Sequence, residues 1–219
     1  MSRGDRAIEL VGGAVPTSVS TRLSDNSFLR MISDLQQRKA SHYYDLIDED
    51  ENGYIEARDF ELRVDRLIES RDVSDEEARE ALRDRVMGWW DHLYTLADID
   101  DDERVTREEW DTYWHAIQAG IDEGGVDKTE TLESLERAAR GTFRAINTSG
   151  SGGITEEEYA EWLEAWGVHD SQAAFRRLDR DDTGTLSEED LVEAVKEFYL
   201  SNDPDAPGNA LYGELPETP

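Results

Sequence analysis

The chain has 219 residues, 37% of them hydrophobic and 6 of them Trp, enough for a buried core in one or two domains. Its 53 acidic against 23 basic residues give a formal net charge of -30, so nucleic-acid backbones and anionic membranes are repulsive partners and neither is expected to bind. The absence of cysteine excludes disulfides, thiolate nucleophiles and thiolate metal sites, and is compatible with a cytoplasmic location.

Residues 1–25 read as a flexible leader, because their apolar patch is broken by Glu9, two glycines and Pro16 and has no signal-like apolar region. No segment reaches the ~18 uninterrupted apolar residues of a membrane helix. Apolar residues at helical spacing then predict eight helices, over about 26–47, 57–70, 74–97, 107–121, 130–146, 156–166, 170–178 and 188–200. Tyr43, Tyr44 and Ile47 close the first stripe, and Phe60, Val64 and Leu67 form the second. Ser74 and Glu77 are expected to cap the third helix, whose stripe includes Trp90, Leu93, Tyr94 and Ala97. Trp110, Tyr113, Trp114 and Ile117 follow. The linker DEGGVDK, residues 122–128, separates residues 26–123 from 124–201. In the second half the stripes run through Ala139, Phe143 and Ile146, through Tyr159, Trp162, Leu163 and Trp166, through Ala174, Phe175 and Leu178, and through Leu191, Ala194, Val195 and Phe198. Residues 202–219 contain four prolines and are expected to be a non-helical tail, with Leu211, Tyr212 and Leu215 available to pack on the body.

Between the helices of each pair the same frame recurs four times: DEDENGYIEARD (48–59), DIDDDERVTREE (98–109), NTSGSGGITEEE (147–158) and DRDDTGTLSEED (179–190). Each has an oxygen-bearing side chain at positions 1, 3 and 5, an aliphatic residue at position 8 and an acid at position 12. This is the frame of the EF-hand loop. Thr106 with Glu109, and Thr155 with Glu158, also make capping boxes that start a helix without any metal, but a capping box does not require the helix that enters each loop. The fold class expected is all-α, with four EF-hands in two paired lobes forming a compact globular body. The short strand at positions 7–9 leaves backbone groups unpaired, so Ile55 is expected to pair with Val105 and Ile154 with Leu186.

Calcium takes six to eight hard oxygen ligands, with glycine favoured at the sharp turn of position 6. Loop one offers Asp48, Asp50, Asn52, the Tyr54 carbonyl, Glu56 and Asp59, around Gly53. Because Asp59 is one methylene shorter than Glu, the six-coordinate magnesium ion is expected to compete there. Loop two offers Asp98, Asp100, Asp102, the Arg104 carbonyl and Glu109, with Thr106 at the water-linked position. Glu103 stands where glycine belongs, so binding at weakened affinity is expected. Loop three replaces its acids by Asn147, Ser149 and Ser151, leaving Glu158 as its only carboxylate ligand, and is expected to be structural. Loop four offers Asp179, Asp181, Thr183, the Thr185 carbonyl, Ser187 and Asp190 around Gly184, again with magnesium competing. The expected cofactor is therefore calcium at three sites.

On these frames and flanks the sequence resembles the four-EF-hand sarcoplasmic calcium-binding protein family, particularly its calerythrin-like bacterial members. The resemblance covers residues 26 to about 215, including the DPDAPGNALYG segment. It implies a compact two-lobed helical protein, a calcium buffer or transporter with no enzymatic activity. The expectation is an intracellular calcium and magnesium buffer, monomeric, with no protein target required. A calcium sensor is the alternative, although sensors expose a Met-rich groove and only Met1, Met31 and Met87 are present. A photoprotein or luciferin-binding protein, whose fold the sequence also resembles, is a further alternative, with Trp89, Trp90, Trp114, Trp162, Trp166, His115 and His169 as candidate cavity residues. His42, His92, His115 and His169 show no zinc spacing, so no catalytic residue is expected.

Overall fold

A computed structural model describes residues 32–70, 72–122 and 126–216. The leader expected over 1–25 lies outside them. Ser33 accepts a hydrogen bond from the Gln36 N–H at 3.2 Å and caps helix α1, Asp34–Ile47. The first helix, expected from residue 26, thus begins at 34, with Ser33 before it extended and residue 32 outside any helix. Strand β1 (Ile55–Glu56) and helix α2 (Ala57–Ser70) complete the first hand, and helix α3 (Glu76–Ala97), strand β2 (Arg104–Val105) and helix α4 (Arg107–Asp122) form the second. Asp75, not Ser74, caps α3, accepting from the Ala78 N–H at 2.9 Å; an ionised carboxylate is the stronger acceptor at a positive helix end.

Helix α5 (Val126–Ile146), strand β3 (Ile154–Thr155) and helix α6 (Glu156–Glu164) make the third hand, followed by helix α7 (Gln172–Leu178), strand β4 (Thr185–Leu186) and helix α8 (Glu188–Leu200). The linker expected over 122–128 is shorter, since α4 runs to Asp122 and α5 starts at Val126. Helix α6 stops at 164, before the expected 166, because Gly167 takes a φ of +74° and the Val168 N–H turns back to the Leu163 carbonyl at 3.0 Å. The strands pair antiparallel in the anticipated register, Ile55 with Val105 and Ile154 with Leu186.

One continuous core joins the two pairs of hands. Trp114 of α4 is fully buried, with its ring 5.8 Å from that of Phe198 and 4.9 Å from that of Tyr199 on α8. Lys39 of α1 is buried too, and its Nζ donates to the Glu197 and Ser201 carbonyls at 3.0 and 2.9 Å, satisfying the C-terminal end of α8.

The tail is not wholly irregular. Pro207–Ala210 forms a 3-10 turn, because Pro207 at its first position has the required φ and no donor to waste. There the backbone of Gly208 passes so close to α8 that a Cβ would lie 2.4 Å from the Ala194 carbonyl oxygen. Tyr159 Oη donates to the Leu211 carbonyl at 2.9 Å, and the Tyr212 ring stacks on Tyr43 at 4.2 Å. The tail is therefore seated on the third hand and on α1 together. No described helix is long and apolar enough to cross a membrane.

Candidate metal-binding loops

All four loops turn in the same way. Positions 4 and 6 have positive φ throughout: Glu51 and Gly53 at 56° and 88°, Asp101 and Glu103 at 59° and 65°, Gly150 and Gly152 at 66° and 92°, Asp182 and Gly184 at 52° and 81°. Left-handed backbone favours glycine, and Glu103 adopts it regardless. This geometry points the N–H groups of positions 5 and 6 at the side chain of position 1. Asp48 accepts from Asn52 and Gly53 at 3.1 and 3.0 Å, Asp98 from Asp102 and Glu103 at 3.3 and 3.0 Å, and Asp179 from Thr183 and Gly184 at 3.0 and 2.8 Å.

In loop one, Asp48, Asp50 and Asp59 each offer a carboxylate oxygen within 4.8 Å of the others. Asp59 is 1% exposed. One of its oxygens accepts from the Glu49 and Asp50 N–H groups at 2.9 and 3.3 Å, and the other accepts from Glu56 N–H at 2.8 Å, so the shorter side chain does bridge the two ends of the loop. Burial, opposed by those hydrogen bonds, pushes its carboxyl up to about 6. Asn52 donates from Nδ2 to Glu56 at 3.2 Å, and its Oδ1 accepts from the Tyr54 N–H at 2.9 Å.

Loop two gathers Asp98, Asp100 and Asp102 in the same way. Desolvation, then repulsion from Asp102, Glu109 and Asp98, raises the Asp100 carboxyl above its ordinary value. Glu109 accepts from the Ile99 N–H at 2.9 Å and from Thr106 N–H and Oγ1 at 2.8 Å each. Desolvation raises its pKa, but those hydrogen bonds outweigh it and leave the group below the ordinary carboxylate range.

Loop four differs. Among the described residues, Asp190 accepts from Ser187, at 2.9 Å from its N–H and 2.6 Å from its hydroxyl, in the capping box that starts α8. Thr183 Oγ1 donates to the Thr185 carbonyl at 3.0 Å. Among the described residues, three acids converge in loops one and two, whereas Asp179, Asp181 and Asp190 form no such group.

Loop three is closed by its own hydrogen bonds. Ser151 Oγ donates to the Gly153 carbonyl at 2.8 Å, and Glu158 accepts from Ser149 N–H at 2.8 Å and Thr155 N–H at 2.9 Å. Desolvation would raise the Glu158 carboxyl, but the Thr155 and Ser149 hydrogen bonds overcome it and bring it to about 2. Asp59 and Glu109 accept in the same manner at position 12 of their loops, so what sets loop three apart is the neutral side chains of Asn147, Ser149 and Ser151 at positions 1, 3 and 5.

Several participants carry no motif signal. Arg104, expected only for its carbonyl, reaches from loop two to Glu56 of loop one at 3.2 Å, with its guanidinium carbon 5.2 Å from the centre of the Tyr54 ring. Arg58 pairs with Asp50 at 3.1 Å. Glu49 holds both Arg63 and Arg66. The only sequence hint is that Arg63 falls three residues after Phe60, inside the apolar stripe. Of the aromatic residues considered for a cavity, Trp89, Trp162 and Trp166 line one together, while Trp90 and Trp114 are core. His115 Nδ1 lies 2.6 Å from the Asp111 carbonyl oxygen of its own helix.

The donors of loops one and two are carboxylate, amide and carbonyl oxygens gathered on a tight backbone turn, which fits a hard divalent cation of the calcium or magnesium kind. With paired loops between amphipathic helices, the chain is a four-EF-hand protein. No family model matches it. Calerythrin from Saccharopolyspora erythraea is 28% identical over 161 residues, covering 72% of this chain and 88% of that protein. A sarcoplasmic calcium-binding protein from Hediste diversicolor is 26% identical, covering 84% of this chain and 99% of the relative. Among solved structures, a coelenterazine-binding protein from Renilla muelleri, in its calcium-loaded apo form, superposes with a TM-score of 0.64 at 21% identity, covering 84% of this chain and all of that one. A Streptomyces coelicolor calcium-binding protein described in terms of calcium-mediated regulation superposes at 0.56 with 25% identity, covering 77% and 99%. Loop frame and fold are those of a four-EF-hand protein, and the chain is similar to calerythrin and to sarcoplasmic calcium-binding proteins.

Proposed function

We propose that the protein binds calcium and serves as a cytoplasmic calcium and magnesium buffer. The observation that carries this reading is the convergence of Asp48, Asp50 and Asp59, and of Asp98, Asp100 and Asp102, each set within 4.8 Å. Asn52, the Tyr54 carbonyl and Glu56 complete the ligands of loop one, and the Arg104 carbonyl and Glu109 those of loop two. Loop four would bind through Asp179, Asp181, Thr183, the Thr185 carbonyl and Asp190, whose acids do not converge as those of loops one and two do. It is therefore the weakest of the three. Magnesium competes at loops one and four, where position 12 is Asp.

Buffering rather than sensing is supported by the core. A sensor opens to expose apolar surface, whereas here both pairs of hands share one core and the tail covers part of it. The test is apolar-dye binding with and without calcium: a buffer of this build lowers or holds dye fluorescence. A second reading, a calcium-responsive regulator with a protein target, is favoured by the similarity to the Streptomyces coelicolor protein. A calcium-induced rise in dye binding together with capture of amphipathic helical peptides selects that reading instead.

A further inference from the structure

Between α2 and α3 on one side and α6 on the other lies a cavity of about 130 Å³. That is close to the roughly 150 Å³ void that accepts a single benzene ring. Leu67, Leu82, Val86, Trp89, Trp162 and Trp166 supply most of its wall. Arg63 also lines it, although it is only 2% exposed, and its guanidinium carbon stands 4.2 Å from the centre of the Trp166 ring.

The hydrogen bonding of Arg63 is incomplete. Its Nη2 donates to the Leu46 carbonyl at 2.6 Å and to Glu49 at 3.2 Å. Nε and Nη1 are out of solvent and have no partner among the described residues. An ionised donor left unpaired in the interior is costly, more so than a neutral one. The surrounding charge decides what relieves it. Glu158 and Glu161 also line the cavity, Glu49 already faces Arg63 and Arg66, and the whole chain carries -30. An anion is repelled by that surplus, whereas a neutral acceptor oxygen is not.

We infer that the cavity binds a small, neutral, single-ring aromatic compound bearing a carbonyl-type oxygen. The ring lies among Trp89, Trp162 and Trp166, and the oxygen accepts from the unpartnered N–H groups of Arg63. A ligand of several fused rings exceeds the space. Because those N–H groups are covered, entry shifts the neighbouring side chains, Trp166 among them, and tryptophan emission reports it. The inference does not depend on the cation reading.

The test titrates the full-length protein, with and without calcium, with acetophenone, with α-methylstyrene (the same shape with CH2 in place of oxygen) and with benzoate, followed by tryptophan fluorescence and calorimetry. A void with no polar requirement favours the hydrocarbon, so the expected result is specific: acetophenone binds at least tenfold more tightly than α-methylstyrene, and benzoate does not bind. Arg63→Lys should remove the discrimination. Ala165→Leu, which fills the cavity from the right-handed C-cap of α6 and leaves Arg63 in place, should abolish binding of acetophenone. Absence of acetophenone binding at millimolar concentration overturns the inference, as do equal affinities for the two neutral compounds, tighter benzoate, or binding that survives Ala165→Leu. If Arg63→Lys does not fold, the wild-type comparison and Ala165→Leu still decide.

Discussion

Replacing Glu103 by glycine separates two costs that the sequence alone confounds. Glu103 occupies position 6 of loop two with a φ of 65°. Holding a non-glycine residue there costs about 1 to 2 kcal/mol. Glycine removes that strain but gives the unfolded chain more freedom, an offset of about 0.4 to 1 kcal/mol. The net gain lies between about 0 and 1.6 kcal/mol, with a midpoint of about 0.8. For a chain of this size the midpoint raises the melting temperature by about 1 to 4 °C. Whether calcium affinity changes depends on when the strain is incurred. The Glu103 N–H is held by Asp98 at 3.0 Å and the Arg104 N–H by Asp102 at 3.0 Å, so protein groups alone impose the turn and its cost falls on folding. Glu103→Gly should therefore raise the melting temperature in chelator and leave the loop-two calcium constant within about threefold, against the expectation from sequence that Glu103 weakens binding. Thermal unfolding by circular dichroism and a competitive chelator titration measure the two quantities. A tenfold gain in calcium affinity with no change in melting temperature would refute the reasoning, because it would mean the turn relaxes whenever the cation leaves.

In loop three, Glu158→Gln should leave calcium stoichiometry unchanged, because positions 1, 3 and 5 carry no acid, while costing about 1 to 3 kcal/mol of stability through its hydrogen bonds to Ser149 and Thr155; loss of one full equivalent in calorimetry would reverse that assignment. Because the Glu158 carboxyl is depressed to about 2 from its ordinary 4.5, its contribution to stability is present above 4.5 and lost as pH falls through 2, which acid titration of near-ultraviolet circular dichroism reads. Asp59 has the opposite sign: raised from 3.8 to about 6, it contributes stability to the cation-free chain below 3.8 that is lost as pH rises through 6. Cation uptake by loop one should accordingly release a proton near pH 6 and weaken between pH 7 and 5, measurable as a buffer-dependent heat, and a pH-independent loop-one constant would contradict it. Tyr212→Ala, which empties the tail's main contact with Tyr43, should cost about 3 to 5 kcal/mol and increase apolar-dye binding; an unchanged unfolding midpoint in urea would show that the tail is not part of the core.

The features legible in the sequence were those set by periodicity and by short-range spacing. Ile55, Val105, Ile154 and Leu186 pair as expected because position 8 of each frame leaves no other register. The EF-hand turn was legible even at Glu103, since the flanking ligands fix the frame. Caps were less certain: Ser74 and Asp75 are adjacent candidates, and only the backbone geometry selects Asp75. The asymmetry between Asp59 and Asp190 was hidden, because both are the same residue at the same position. One is buried and bridges its loop, the other bonds back to Ser187. Long-range partners such as Arg104 with Glu56, and Arg63 with Trp166, depend on how hands face one another and leave no trace at fixed spacing.

Calcium held by the acid groups of loops one and two, joined by loop four, is the property on which the proposed function rests. Calorimetric titration of the chelator-treated chain with calcium, with and without millimolar magnesium, tests it most directly. Three ions should bind, one in each of loops one, two and four, with the loop-one and loop-four phases weakened by magnesium and the loop-two phase changed least. A titration that shows no saturable calcium binding, or that shows a full equivalent lost on Glu158→Gln and none on Glu109→Gln, would contradict it.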